Sequence, residues 1–172
     1  MKKMLTLLAV VGLFVFSGCS DDDKDEIFDT TNYVFEVNKV DFGNNGEGIT
    51  GRFDYALLPK DVLLVYRLGG VAPNGRDIWV QLPEAHYYDN GTIFNYKFDF
   101  TQDDFKIYLD GLGLNNIPND MRYNQTFRIV IVPEVESTGV YAKKANTKNE
   151  YSDYYEVIRK YNLDDSNVKT LN

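Results

Sequence analysis

Along most of the chain the apolar positions recur every second residue, the period of a half-buried strand rather than the 3.6 of a helix. In NYVFEVNKVDF (32–42), Tyr33, Phe35 and Val37 alternate with Glu36 and Asn38. ITGRFDYAL (49–57) sets Ile49, Phe53, Tyr55 and Leu57 against Thr50, Arg52 and Asp54. IFNYKFDF (93–100) sets Phe94, Tyr96, Phe98 and Phe100 against Ile93, Asn95, Lys97 and Asp99. VLLVYRL (62–68) is apolar on both faces, which predicts a central strand. IWVQLP (78–83), FKIYLDG (105–111) and TFRIVIVP (126–133) complete the set, the last turning Phe127, Ile129 and Ile131 inward. Turn chemistry separates the runs: GNNGEG (43–48), GGVAPNGRD (69–77) with Asn74-Gly75 at its tip, YYDNGT (87–92), and a Gly- and Asn-rich loop over 111–125. Seven or eight short strands joined by turns predict an all-β fold. Half-buried alternation favours an antiparallel β-sandwich over residues 32–136, immunoglobulin-like by strand number and spacing alone.

The tail changes period. In YSDYYEVIRKYNL, Tyr151, Tyr154, Tyr155, Ile158 and Tyr161 fall at i, i+3, i+4, i+7 and i+10. Ser152 or Asp153 can cap the N-terminus, with Glu156 in the first turn and Arg159 and Lys160 near the end. The prediction is a C-terminal amphipathic helix that, with the loop before it (137–172), packs on the sandwich and covers a sheet face or edge. Its polar face is not basic enough to suit a membrane surface.

The first residues follow neither period. Lys2 and Lys3 precede thirteen uncharged, mostly apolar residues, Met4 to Phe16. That is the length of a signal-peptide core, short of the about 20 residues a spanning helix needs. Small residues, Ser17 and Gly18, then stand before Cys19, the chain's one cysteine. FSGC resembles the lipobox of bacterial lipoproteins, with Phe16 where leucine is commonest. The resemblance implies removal of residues 1–18, a diacylglycerol thioether on Cys19 and acylation of the new amine. Acyl chains at about 0.8 kcal/mol per buried methylene hold such a protein to a bilayer. SDDDKDE follows, with five acids in seven residues. It cannot pack, so residues 19–31 read as an acidic tether. The stretch resembles the acidic export segment of Bacteroidota surface lipoproteins, which implies an outer-membrane anchor facing the cell exterior, the periplasmic face being the alternative. DTT (29–31) resembles the O-glycosylation motif of the same phylum, which implies a sugar on Thr30.

Charge narrows the partners. The chain carries −8, and loss of the two signal-peptide lysines makes it −10. Nucleic acid demands a basic footprint and is excluded as a partner. With one cysteine there is no intrachain disulfide and no thiolate metal centre. No cofactor is expected.

Candidate catalytic groups are sparse. His86, the single histidine, stands near Glu84 and Asp89 in what reads as a solvated turn. Ser137, Ser152 and Ser166 lie in no nucleophile elbow. Asp103-Asp104 read as turn acids, although a glycosidase needs only two carboxylates about 5–9 Å apart. DDSNVKT (164–170) lacks the glycine and terminal glutamate of a calcium loop. GLGLNN (111–116) lacks the lysine of a phosphate loop. Aromatic residues carry more. Trp79, the only tryptophan, alternates with Ile78 and Val80, and on an exposed face it would head a stacking platform for sugar or peptide with Tyr87, Tyr88 and Tyr108. On a covered face it would meet the helix tyrosines instead. The resulting expectation is a non-catalytic, lipid-anchored binding or structural module of the cell envelope, whose partners are the membrane through its anchor and a glycan, a peptide or an envelope protein. The alternatives are an accessory subunit of an outer-membrane complex and a carboxylate-dependent glycan hydrolase.

Overall fold

A computed structural model describes residues 26–28, 33–133 and 151–171. The signal segment, Cys19, Thr30, most of the tether and Ser137 lie outside the described residues. In chain order the elements are β1 (Glu26–Phe28), β2 (Val34–Val40), β3 (Ile49–Phe53), β4 (Val62–Val71), β5 (Asp77–Gln81), β6 (Glu84–Tyr87), β7 (Ile93–Phe100), β8 (Asp104–Leu112), α1 (Asn119–Arg122), β9 (Gln125–Val132), α2 (Tyr154–Tyr161) and β10 (Lys169–Leu171). The strands make two five-stranded sheets, β1-β3-β8-β7-β6 and β10-β2-β9-β4-β5. The fold is thus an all-β, sandwich-like pair of sheets with a short C-terminal helix.

The fold departs from a purely antiparallel sandwich at one flank. β1 pairs β3 in parallel and β10 pairs β2 in parallel, while the remaining strand pairs run antiparallel. Neither terminal strand is long enough to show a period, and β1 falls inside the stretch read as tether. The loop over 111–125 contains a 3-10 turn, Leu114–Asn116, and the single-turn α1.

Two hydrophobic clusters explain which faces are apolar. The larger lies between the sheets and includes Phe35, Val37, Leu63, Val65, Phe94 and Tyr96, with Phe127, Ile129 and Ile131 from β9. The smaller lies on the outer face of the second sheet, where Val34, Leu64, Tyr66, Trp79, Val130 and Val132 meet Tyr154 and Val157 of α2. β4 and β9 are therefore buried on both faces, as the unbroken apolar run of β4 requires. Tyr55 corrects the sequence reading: it lies beyond the end of β3 and is exposed, while Leu57 turns back into the core. In α2 the fully buried positions are Tyr154 and Val157, and Tyr151, Tyr155, Ile158 and Tyr161 flank them half-buried. Asp153 caps α2, its carboxylate accepting from Glu156 N–H at 3.1 Å. Asn162 closes the other end in the left-handed region.

One glycine is fixed by close approach. Gly111 in β8 has φ 156°, and a Cβ there would stand 2.0 Å from the Ile93 carbonyl oxygen of β7. Gly111→Ala is expected to lower stability by more than about 1 kcal/mol, read as a lower urea midpoint at unchanged slope.

Candidate binding site

The β4–β5 hairpin turns through Ala72–Arg76, where Ala72 N–H donates to Arg76 O at 2.7 Å and Gly75 N–H to Ala72 O at 2.8 Å. The Asn74 side chain accepts from Arg76 N–H at 3.1 Å, and Gly75 supplies the positive φ of 82°. This Asn-Gly hairpin reaches past the sheet to the start of α2. Tyr155 Oη donates to Asp77 O at 3.2 Å, and the Arg76 guanidinium lies 4.2 Å above the Tyr155 ring. Below them Tyr66 Oη donates to Tyr151 O at 2.6 Å.

Between hairpin and helix lies an open depression of about 490 Å³, its wall including Asn74, Arg76, Asp77, Trp79, Asp153 and Tyr155. Trp79 is 8% exposed. Its ring lies 5.6 Å from that of Tyr154, and the Arg128 guanidinium covers it at 4.4 Å. Arg128 is itself held by Glu36 at 3.0 Å and by Tyr154 Oη at 2.8 Å, and Tyr154 Oη donates to Asp165 at 2.9 Å. Burial raises the Tyr154 phenol well above its ordinary range, against the pull of Arg128, so it stays neutral. The Trp79 indole N–H is buried and meets no acceptor among the described residues. An orphaned donor of this kind costs about 1–3 kcal/mol, and it lies within the packed layer beneath α2 rather than on the open surface of the depression.

A second polar group sits between the sheets where the chain crosses from β5 to β6. Arg67 of β4 donates from Nε and Nη2 to the two carboxylate oxygens of Glu84, each at 2.7 Å. Its Nη1 donates to Leu68 O at 3.2 Å and Gln125 Oε1 at 3.3 Å. Gln125 Nε2 donates to Asp120 O and Tyr123 O, and Tyr96 Oη donates to Met121 O, which ties α1 to the core. Burial opposes the Arg67 charge, but the Glu84 hydrogen bonds and charge outweigh it and raise its pKa. His86 belongs here too, in β6 rather than in a turn. Its ring stacks on Phe94 at 4.9 Å, and its Nε2 is 3.0 Å from Glu84 Oε1 but not aligned to form a hydrogen bond. With both oxygens of Glu84 engaged by Arg67, the arrangement braces the two sheets against each other.

The aromatic residues singled out from the sequence do not share a face. Trp79 lies beneath α2 on the second sheet. Tyr88 turns inward and stacks on Phe94 at 6.0 Å. Tyr87 and Tyr108 lie on the outer face of the first sheet, opposite the buried neighbours of their strands. There the register aligns Tyr87, Ile93 and Leu112 across three strands as an exposed apolar row, 75%, 37% and 69% exposed. Of the acids considered, Asp103 and Asp104 lie at the β7–β8 turn, where Thr101 Oγ1 donates to Asp104 at 2.6 Å. Asp164 accepts from Ser166 N and Oγ in a local turn, and Asp165 faces Arg128. Among the described residues no three His, Cys, Asp or Glu side chains converge to hold a metal ion, and no helix is long and apolar enough to cross a membrane.

Asn74, Arg76, Asp77, Asp153 and Tyr155 carry no sequence motif as a group. The Asn-Gly turn and the tyrosine helix are each visible in the sequence, but Asp77 and Tyr155 stand 78 positions apart, and only the docking of α2 joins them. Fold and site together define a helix-covered β-sandwich with an open depression at the hairpin–helix seam. Compared with known proteins, the chain matches no family model, no curated protein and no solved structure.

Proposed function

We propose that this protein is a lipid-anchored binding module of the bacterial cell envelope, tethered through Cys19 and using the hairpin–helix depression to hold a ligand. The observation that carries the binding reading is the depression itself, where aromatic side chains, an arginine stacked on Tyr155 and two aspartates meet. The anchor rests on the FSGC pattern and the acidic segment after it. The immunoglobulin-like reading of the sandwich rests on strand number and spacing, and its parallel flank strands are a feature that reading does not account for.

Metabolic labelling with palmitate tests the anchor. The full chain is expected to incorporate label and to partition with membranes, and Cys19→Ser is expected to lose both. Label retained in Cys19→Ser removes the lipidation reading. Protease shaving of intact cells tests display: loss of the protein places it on the outer surface, and protection until lysis places it on the periplasmic face.

A second reading, an accessory subunit of an outer-membrane complex, is favoured by the exposed row Tyr87–Ile93–Leu112. Recovery of the native protein in a stable membrane complex that Leu112→Lys disrupts would favour it over ligand binding.

A further inference from the structure

We infer that the hairpin–helix depression binds a neutral, polyhydroxylated ligand, a short segment of glycan, with Arg76 as donor and Asp77 and Asn74 as acceptors. This rests on the binding-module reading and gives it a ligand class. Three features of the wall point to that class.

The first is uncommitted hydrogen-bonding capacity of both signs. The Arg76 guanidinium has five N–H donors and donates none of them to the described residues, while its stacking over Tyr155 holds its plane in place. Asp77 and Asn74 bring acceptor oxygens to the same wall, as does Asp153, one of whose carboxylate oxygens caps α2. A hydroxyl donates and accepts at once, so a run of hydroxyls satisfies alternating donors and acceptors where a group of single polarity cannot.

The second is charge. One arginine and two aspartates border the depression. An anion would face both carboxylates, and a cation would face Arg76. The aromatic faces that would attract a cation are already covered, Tyr155 by Arg76 and both Trp79 and Tyr154 by Arg128. A neutral ligand meets neither penalty.

The third is shape. An open volume of about 490 Å³ falls within the usual range for small-ligand sites, and Trp79, Tyr154 and Tyr155 contribute apolar surface to its lining.

Trp79, as the only tryptophan, reports on its own wall. The test uses the full chain in a sugar-free detergent, excited where tyrosine does not absorb, and titrated with neutral disaccharides of glucose, galactose, mannose and N-acetylglucosamine. At least one is expected to give a saturable change in Trp79 emission. Arg76→Ala, whose turn is exposed and whose fold is checked by its melting curve, should weaken that binding by about tenfold or more. Tyr87→Ala, on the far sheet, should leave it unchanged. Absence of a saturable response to any of the saccharides overturns the inference. So does an equal response in Arg76→Ala, or saturation by tri-alanine peptide in place of sugar. The module reading fails separately. If saccharides give nothing yet an envelope component is retained by the native protein and lost in Arg76→Ala, the ligand class falls and the site stands; if nothing is retained either, both fall.

Discussion

Glu84→Ala is expected to destabilise the protein by about 3–5 kcal/mol, with a fall in Tm of roughly 10 °C or more. Arg67 is buried, and both of its 2.7 Å contacts to a carboxylate end on Glu84. With Glu84 gone, the guanidinium keeps Leu68 O, Gln125 Oε1 and the Tyr96 ring face but loses the carboxylate that, among the described residues, offsets its desolvation. That loss is a large part of the about 5–15 kcal/mol that separates a folded domain from its unfolded chain. A paired variant separates this cause from simple loss of packing. Arg67→Met combined with Glu84→Leu removes both charges and fills similar volume, so it should lie closer to the native protein than Glu84→Ala alone. A double variant as unstable as the sum of its parts would show that the pair is not coupled in this way.

Val157→Asp is expected to release α2 from the second sheet while the sandwich remains folded. Val157 is fully buried among the apolar side chains of the smaller cluster, and the guanidinium that reaches this cluster, Arg128, is already held by Glu36 and Tyr154 Oη. Burying it costs several kcal/mol, more than a two-turn helix can offset by its other contacts. The core between the sheets contains no residue of α2, which is why the loss should stay local. The reading is direct: Trp79 emission shifts to the red and becomes open to collisional quenchers, while strand content by circular dichroism holds. Unchanged Trp79 emission would mean that the helix is held by its rim contacts, chiefly Tyr155 to Asp77 and Arg76 to Tyr155, rather than by Val157.

The parts of the fold legible in the sequence are those where burial alone decides the pattern. β4 reads as a central strand because both of its faces meet apolar partners, the sheet interior on one side and α2 on the other. The aromatic face of β7 is legible for the same reason at Phe94 and Tyr96, and fades toward Phe100, which is exposed at the end of the strand. β6 is illegible because its two inward residues are polar: Glu84, whose partner Arg67 comes from the other sheet, and His86, which stacks on Phe94. No local rule predicts that pairing. β1 and β10 are three residues each, below the length at which alternation can be seen. The helix was legible in period but not in its centre: the tyrosines mark the stripe, while Val157, which occupies the middle of it, is the least conspicuous member. The binding depression follows the same logic. Trp79 stands out by its rarity, but its neighbours across the seam are supplied by tertiary docking, and Tyr87 and Tyr108, grouped with it by sequence, belong to the other sheet.

The parallel strands at the two ends of the described chain bear on how copies behave beside one another. β1 covers β3 and β10 covers β2; the opposite edge strands, β5 and β6, are joined by only Leu82 and Pro83, so both guards stand on the other flank. Removing residues 26–28 and 169–171 would leave two neighbouring rows of unpaired backbone N–H and C=O groups, a template onto which another copy can add strands. The two short strands thus act as a guard against self-assembly, out of proportion to the six backbone positions they occupy.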